Sequence, residues 1–224
     1  MQQLALELAP APAPSFDSFF AARNTAVLAI LREALAGHQP YVYLWGPRGS
    51  GKTHLLQAFA IEAGENGQLA RYVAAGESID AENGEHVIAA DDAHRLDMVG
   101  QLALFDLYNR FRTEGGTLVS AGDRPPGDLP LREDLRTRLG AGLVLRLEPL
   151  TDEEKTAAIS VHGRRRGLEL APELVDYLLT HVTRDMGTQM AIIDTLDRVS
   201  LERKRPITLP LLREVLQLTG TRPG

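Results

Sequence analysis

Gly46-Pro47-Arg48-Gly49-Ser50-Gly51-Lys52-Thr53 stands between the apolar run Tyr41-Val-Tyr-Leu-Trp45 and a helical pattern that opens at His54. Its spacing, G-x-x-x-x-G-K-T, is that of a phosphate-binding loop. Glycines let backbone N–H groups close around phosphate oxygens, Lys52 brings a positive charge, and the Thr53 hydroxyl can ligate Mg²⁺. A helix that starts at the end of the loop aims the positive end of its dipole at the same phosphates. The lysines of the chain are Lys52, Lys155 and Lys204, and only Lys52 has the Gly-Lys-Thr setting. The stretch therefore predicts a strand, loop and helix unit that binds a nucleotide with Mg²⁺.

Working outward, the unit is followed by strands at 70–74, 86–90, 117–121 and 143–147, with helices between them at 98–112 and 131–139. Strands that alternate with helices imply a parallel sheet covered on both faces. Upstream, Ser15-Phe-Asp-Ser-Phe-Phe20 leads to a helix expected to be capped at Asn24. Its apolar stripe is Val27, Ile30, Leu31, Ala34 and Leu35, and it stops at Gly37. The helix after the loop turns Leu55, Leu56, Phe59 and Ala60 inward. Beyond Pro149 only helical periodicity remains, starting at the capping box Thr151-Asp-Glu-Glu154 and continuing as helices near 151–165, 172–182, 188–203 and 208–218. The expected organisation is a tail at 1–14, an α/β domain at 15–150 and a small all-α domain at 151–224.

The 224 residues, 44% of them hydrophobic, are ample for a packed core. No stretch approaches the ~20 apolar residues of a membrane span, and the N-terminus lacks a signal-peptide pattern, so a cytoplasmic protein is expected with no membrane partner. The absence of cysteine excludes disulfides and thiolate chemistry. A net charge of −6 argues against a broad DNA-binding face, leaving the local runs Arg164-Arg165-Arg166 and Arg203-Lys204-Arg205 as solvated faces or contact points. The tail joins Gln3-Leu4-Ala5-Leu6-Glu7-Leu8 to a stiff Ala-Pro spacer at 9–14. Gln3, Leu4, Leu6 and Leu8 suit docking onto a partner's groove or sheet edge, or a strand that folds back on its own sheet.

Nucleotide hydrolysis needs more than a phosphate loop. The strand at 86–90 ends in Asp91-Asp92, where the first carboxylate can hold Mg²⁺ and the second can orient an attacking water. The strand at 117–121 runs into Gly122-Asp123. If it lies between the strands carrying the loop and the acids, Asp123 is placed to sense water or phosphate; Asp before Arg-Pro-Pro is equally a turn former. Arg136 and Arg138 on the short helix are either solvated or one of them acts as an arginine finger in a neighbouring subunit's site.

With those residues in place, the chain resembles the AAA+ ATPases of the DnaA family from about Ser15 to Thr219. The segment Ser15–Phe20 with Asn24 is similar to the part of the family that lies against adenine, which implies contacts from Phe16 and Asn24. Gly46–Thr53 followed by His54 resembles Walker A, Asp91-Asp92 Walker B, and Gly122-Asp123-Arg-Pro-Pro126 sensor 1. Asp134-Leu-Arg-Thr-Arg-Leu-Gly140 resembles the segment with the arginine finger, at Arg138. The resemblance implies a five-stranded parallel P-loop sheet with a helical lid, and ATP or ADP with Mg²⁺ as cofactors. The sequence ends at Gly224, so the origin-reading domain of DnaA is expected to be absent, and the leading hexapeptide resembles a sliding-clamp-binding motif. Both features resemble the Hda-type regulators of this family, implying DnaA and the polymerase sliding clamp as partners, DNA through the clamp, and an inhibitory role in replication initiation; homo-oligomerisation stays open. Gly187 stands where the family's sensor 2 arginine is expected, with Arg184 one turn earlier, which implies weak ATP turnover by the chain itself. A free-standing DnaA-like ATPase or helicase loader, and a passive nucleotide-stabilised adaptor, are the alternatives.

Overall fold

Why the phosphate loop sits where it does follows from the strand register. The computed structural model describes residues 13–79, 84–182 and 186–218. The described chain divides into two compact units at the 149/150 bond. In the first, β1 (Tyr41–Trp45), β2 (Ala70–Val73), β3 (Val87–Ala90), β4 (Thr117–Gly122) and β5 (Leu143–Arg146) form one parallel sheet in the order β2-β3-β4-β1-β5. Registers Trp45↔Gly122 and Ala90↔Ser120 bring the carboxyl ends of β1, β3 and β4 to one edge of the sheet, the edge on which open parallel sheets bind ligands.

Alternation along the strands builds two apolar layers. Val42, Leu44, Ala89, Val119 and Ala121 face α1 (Thr25–Leu35) and α2 (Lys52–Glu65), while Tyr43, Ile88 and Leu118 face α3 (Met98–Glu114) and α4 (Glu133–Gly140). Both faces of β3 and β4 are buried, which is why these strands read as unbroken apolar runs. The second unit packs α5 (Asp152–Arg165), α6 (Pro172–His181), α7 (Met186–Arg203) and α8 (Leu209–Leu218) around Ile159, Leu178, Ile193, Leu196 and Leu212. Among the described residues no helix is long and apolar enough to cross a membrane.

Element positions agree with the sequence reading to within about two residues, the usual scatter at element ends. The helix expected from Leu131 starts at Glu133, because Leu131 is buried in the core and Arg132 is extended. The inward face of α2 includes Ala58 and Ala63, and in α1 Leu28 is buried where Ile30 and Leu35 are only partly so. The Thr151 capping box forms as expected: Glu154 N–H donates to Thr151 Oγ1 at 3.2 Å and Thr151 N–H to Glu154 Oε2 at 2.8 Å.

Asn24 needs correction. It occupies the N-cap position of α1 but makes no side-chain cap. Its amide instead donates to the Glu148 carbonyl and accepts from the Glu148 N–H, each at 2.9 Å, and the residue is 3% exposed. A carboxamide matches both groups of one peptide strand, and burial favours that double bond over one exposed cap. Asn24→Ala is expected to cost about 1–3 kcal/mol, because it strands two backbone groups away from water. Urea unfolding of the variant against the native chain measures this.

Candidate functional site

The Gly46–Thr53 loop bends on two glycines in the left-handed region, Gly49 at φ +80° and Gly51 at φ +96°. That backbone is strained for any other residue, and successive peptides of this kind turn N–H groups toward a common point. Space sets a second constraint. A Cβ on Gly46 would stand 2.5 Å from the Leu147 carbonyl oxygen, and one on Gly51 would stand 2.6 Å from the Phe19 ring. Pro47 accepts a turn hydrogen bond from Ser50 N–H at 3.2 Å, and Arg48 is exposed beside it. The Ser50 hydroxyl is buried without a hydrogen-bond partner among the described residues.

Lys52 is the first residue of α2 and only 9% exposed. Its Nζ donates to the Gly46 and Pro47 carbonyls at 2.7 and 3.0 Å, folding the side chain back over the loop. Burial pulls its pKa below the ordinary lysine range, and the charges of Asp91, Asp92 and Asp123 oppose that fall. The acids that follow β3 and β4 thus act electrostatically on the ammonium at the start of α2.

Asp91 is 7% exposed and accepts from three donors. Its Oδ2 accepts from Thr53 Oγ1 at 2.6 Å and from the Tyr72 hydroxyl at 3.1 Å, and its Oδ1 from the Asp92 N–H at 2.8 Å. Asp92 lies in the left-handed region at φ +48°, a conformation Asp tolerates better than most residues and one that recurs at functional sites. Its carboxylate faces Arg95 at 3.4 Å and His94 at 3.9 Å. β4 lies between β1 and β3, the condition set for Asp123, yet that carboxylate is gripped by its neighbour: Arg124 donates to it twice, at 3.0 and 2.8 Å. The guanidinium holds Asp123 below the usual carboxylate range.

The leading segment also reaches the loop. Phe16 is 2% exposed and belongs to the core, with its N–H on Glu62. Phe19 is the ring against the loop, over Gly51 and 5.7 Å from the His54 ring. His54 ties the segment down through the Ser15 carbonyl at 3.0 Å and the Ser18 hydroxyl at 3.3 Å, and its burial lowers its pKa. Asn24 has both polar ends on Glu148, as described above.

The two arginines left open by the sequence separate. Arg136 donates to the Gly127 carbonyl at 3.1 Å, whereas Arg138 lies 5.7 Å from the rings of both Phe105 and Tyr108 and has no carboxylate partner among the described residues. Part of each basic run pairs with carboxylates of its own unit. Arg166 pairs with Asp194 at 2.7 Å, and Arg203 and Arg205 both pair with Glu214. Gly187 is exposed on α7; Gln3, Leu4, Leu6, Leu8 and Arg184 lie outside the described residues.

These groups fit a nucleotide with Mg²⁺. An unpartnered buried hydroxyl at Ser50, an ammonium held only by two carbonyls, and the oxygen pair Thr53 and Asp91 are the donor and ligand types that phosphate and a hard cation require. Phe19 and Tyr72 escaped sequence reading. Phe19 stands in the quoted leading segment but carries no spacing signal, and Tyr72 is an ordinary strand former whose hydroxyl gains meaning only from the β2–β3 pairing.

Comparison with known proteins agrees with this geometry. A family model described as the Hda lid domain matches residues 152–216. A replication initiator DnaA bound to AMPPCP and single-stranded DNA superposes with a TM-score of 0.69 at 25% identity, covering 88% of this chain and 69% of that one. AMPPCP-bound DnaA from Aquifex aeolicus gives 0.69 at 25% identity, covering 88% and 68%. Domain III of DnaA from Thermotoga maritima gives 0.73 at 20% identity, covering 96% of this chain and 98% of that one, and supports the fold alone.

The charged form of Lys52 is the one that attracts phosphate. Because burial lowers its pKa in the free protein, ADP affinity is expected to fall with rising pH from a midpoint below the ordinary lysine range. Calorimetric titration from neutral to alkaline pH checks this, with Lys52→Met as the variant that removes the dependence along with most of the affinity.

Proposed function

We propose, from the premise that this chain is a DnaA/Hda-like AAA+ protein, that it regulates replication initiation by acting on ATP held by DnaA. In this reading the Gly46–Thr53 loop, with Lys52 and Ser50, binds the phosphates of ATP or ADP, and Thr53 and Asp91 hold Mg²⁺. The ion neutralises phosphate charge when bound. In the same reading Asp92 orients the attacking water and Asp123 senses water or phosphate. Phe19 and His54 close the loop from the side of the leading segment. Gly187 in place of a sensor 2 arginine fits weak turnover by the chain alone.

The observation that carries the reading is Arg138. A guanidinium held over two aromatic rings keeps its charge and its donors while lacking an acidic partner that would neutralise it. Offered to DnaA, it would meet the negative charge that grows on the γ-phosphate oxygens as water attacks phosphorus and the bond to ADP breaks. Fingers of this kind contribute about 10³–10⁵ in rate. The lid match at 152–216 supports an Hda-like role, and the hexapeptide around Gln3, Leu4, Leu6 and Leu8 would deliver the protein to the DNA-loaded clamp.

The test is hydrolysis of DnaA-bound ATP with and without this protein, clamp-loaded DNA being present in both arms. The native chain is expected to accelerate hydrolysis, and Arg138→Ala to lose the acceleration while retaining ADP and clamp binding. Unchanged stimulation would remove Arg138 from the role. Replacing Gln3, Leu4 and Leu6 by Ala is expected to abolish clamp pull-down.

A further inference from the structure

Asp91 is buried, and a buried carboxylate must be supplied with donors. One comes from the adjacent peptide, the Asp92 N–H on Oδ1. The other two, the hydroxyls of Thr53 and Tyr72, converge on Oδ2 from different elements. Thr53 belongs to the phosphate loop, so its oxygen is shared with whatever the loop binds. Tyr72 does not.

Tyr72 lies on β2, the edge strand, and pairs in register with Ala89, two residues before Asp91. Its ring packs against the layer formed with α2, and the length of the phenol carries the hydroxyl past the end of β3 to the carboxylate. On the same hydroxyl acts the side chain of Gln57, one helical turn beyond Thr53 on α2. Tyr72 is thus half-buried with its ring against the core, and its hydroxyl donates to Asp91. The β2–β3 ladder continues alongside, with the Asp91 N–H donating to the Val73 carbonyl at 2.9 Å.

We infer that Tyr72 is a positioning residue for the metal-binding carboxylate: it holds Asp91 in the rotamer that faces Thr53 and thereby sets how much Mg²⁺ strengthens nucleotide binding. The inference rests on the reading that Gly46–Thr53 and Asp91 bind a nucleotide with Mg²⁺. Tyr72 itself supplies no ligand to metal or phosphate. Its part is to keep one oxygen of Asp91 fixed by a donor that does not leave when Thr53 engages the ion. Partners that orient a metal-binding group in this way typically change metal affinity by one to two orders of magnitude.

The experiment is calorimetric titration of the full chain with ADP, in Mg²⁺ and in excess EDTA, for the native protein, Tyr72→Phe and Asp91→Asn. Phe keeps the ring and its packing and removes only the hydroxyl. Tyr72→Phe is expected to keep metal-free ADP affinity within about twofold while reducing the strengthening by Mg²⁺ about tenfold, in the direction of Asp91→Asn. Equal Mg²⁺ strengthening in the native protein and Tyr72→Phe overturns the inference and leaves the nucleotide reading standing. An equal loss with and without metal also overturns it, because it marks a packing role. If the native chain gains nothing from Mg²⁺, the nucleotide-metal reading fails and this inference fails with it.

Discussion

The site depends on keeping one ammonium charged in a place water barely reaches. Lys52 opens α2 directly beneath the loop, where burial disfavours its positive form. Two loop carbonyls and the field of Asp91, Asp92 and Asp123 offset part of that cost. These three acids reach Lys52 only because β4 lies between β1 and β3, with all three strands ending on the same edge. The parallel order, the two apolar layers and the left-handed glycines therefore serve one arrangement: a cation surrounded by acids at the mouth of a loop shaped for phosphate.

The same competition between partners organises the residues nearby. The Thr53 hydroxyl is held by Asp91, Lys52 by its own loop, and Asp123 by Arg124. These side chains have internal partners that a nucleotide could replace, whereas the Ser50 hydroxyl has none among the described residues. Arg138 follows the opposite rule, resting on aromatic faces that neutralise nothing. In the helical unit, Asp194, 5% exposed, collects His162 and Arg166, and Glu214 collects Arg203 and Arg205, so part of each basic run is paired within one body.

Much of this was legible in the residues because the strongest constraints are local. G-x-x-x-x-G-K-T demands a particular backbone, Asp91-Asp92 after an apolar run demands an ion or solvent, and Thr151 with Glu154 forms a box from adjacent residues alone. What escaped depends on distant partners. Asn24 reads as a cap until Glu148, far along the chain, offers it two buried bonds. Phe16 and Phe19 are indistinguishable as a pattern, and only the packing of α1 and α2 sends the first into the core and the second onto Gly51. Tyr72 is the plainest case, since its partner Asp91 is chosen by strand register rather than by any spacing.

The central claim is that this loop is a nucleotide site held in readiness by its own hydrogen bonds. A crystal structure of the full chain with Mg²⁺ and AMPPCP tests it directly. The account predicts Lys52 Nζ transferred from the Gly46 and Pro47 carbonyls to phosphate oxygens, with the ion beside Thr53 and Asp91. Nucleotide bound elsewhere, with both Lys52 bonds intact, would contradict it.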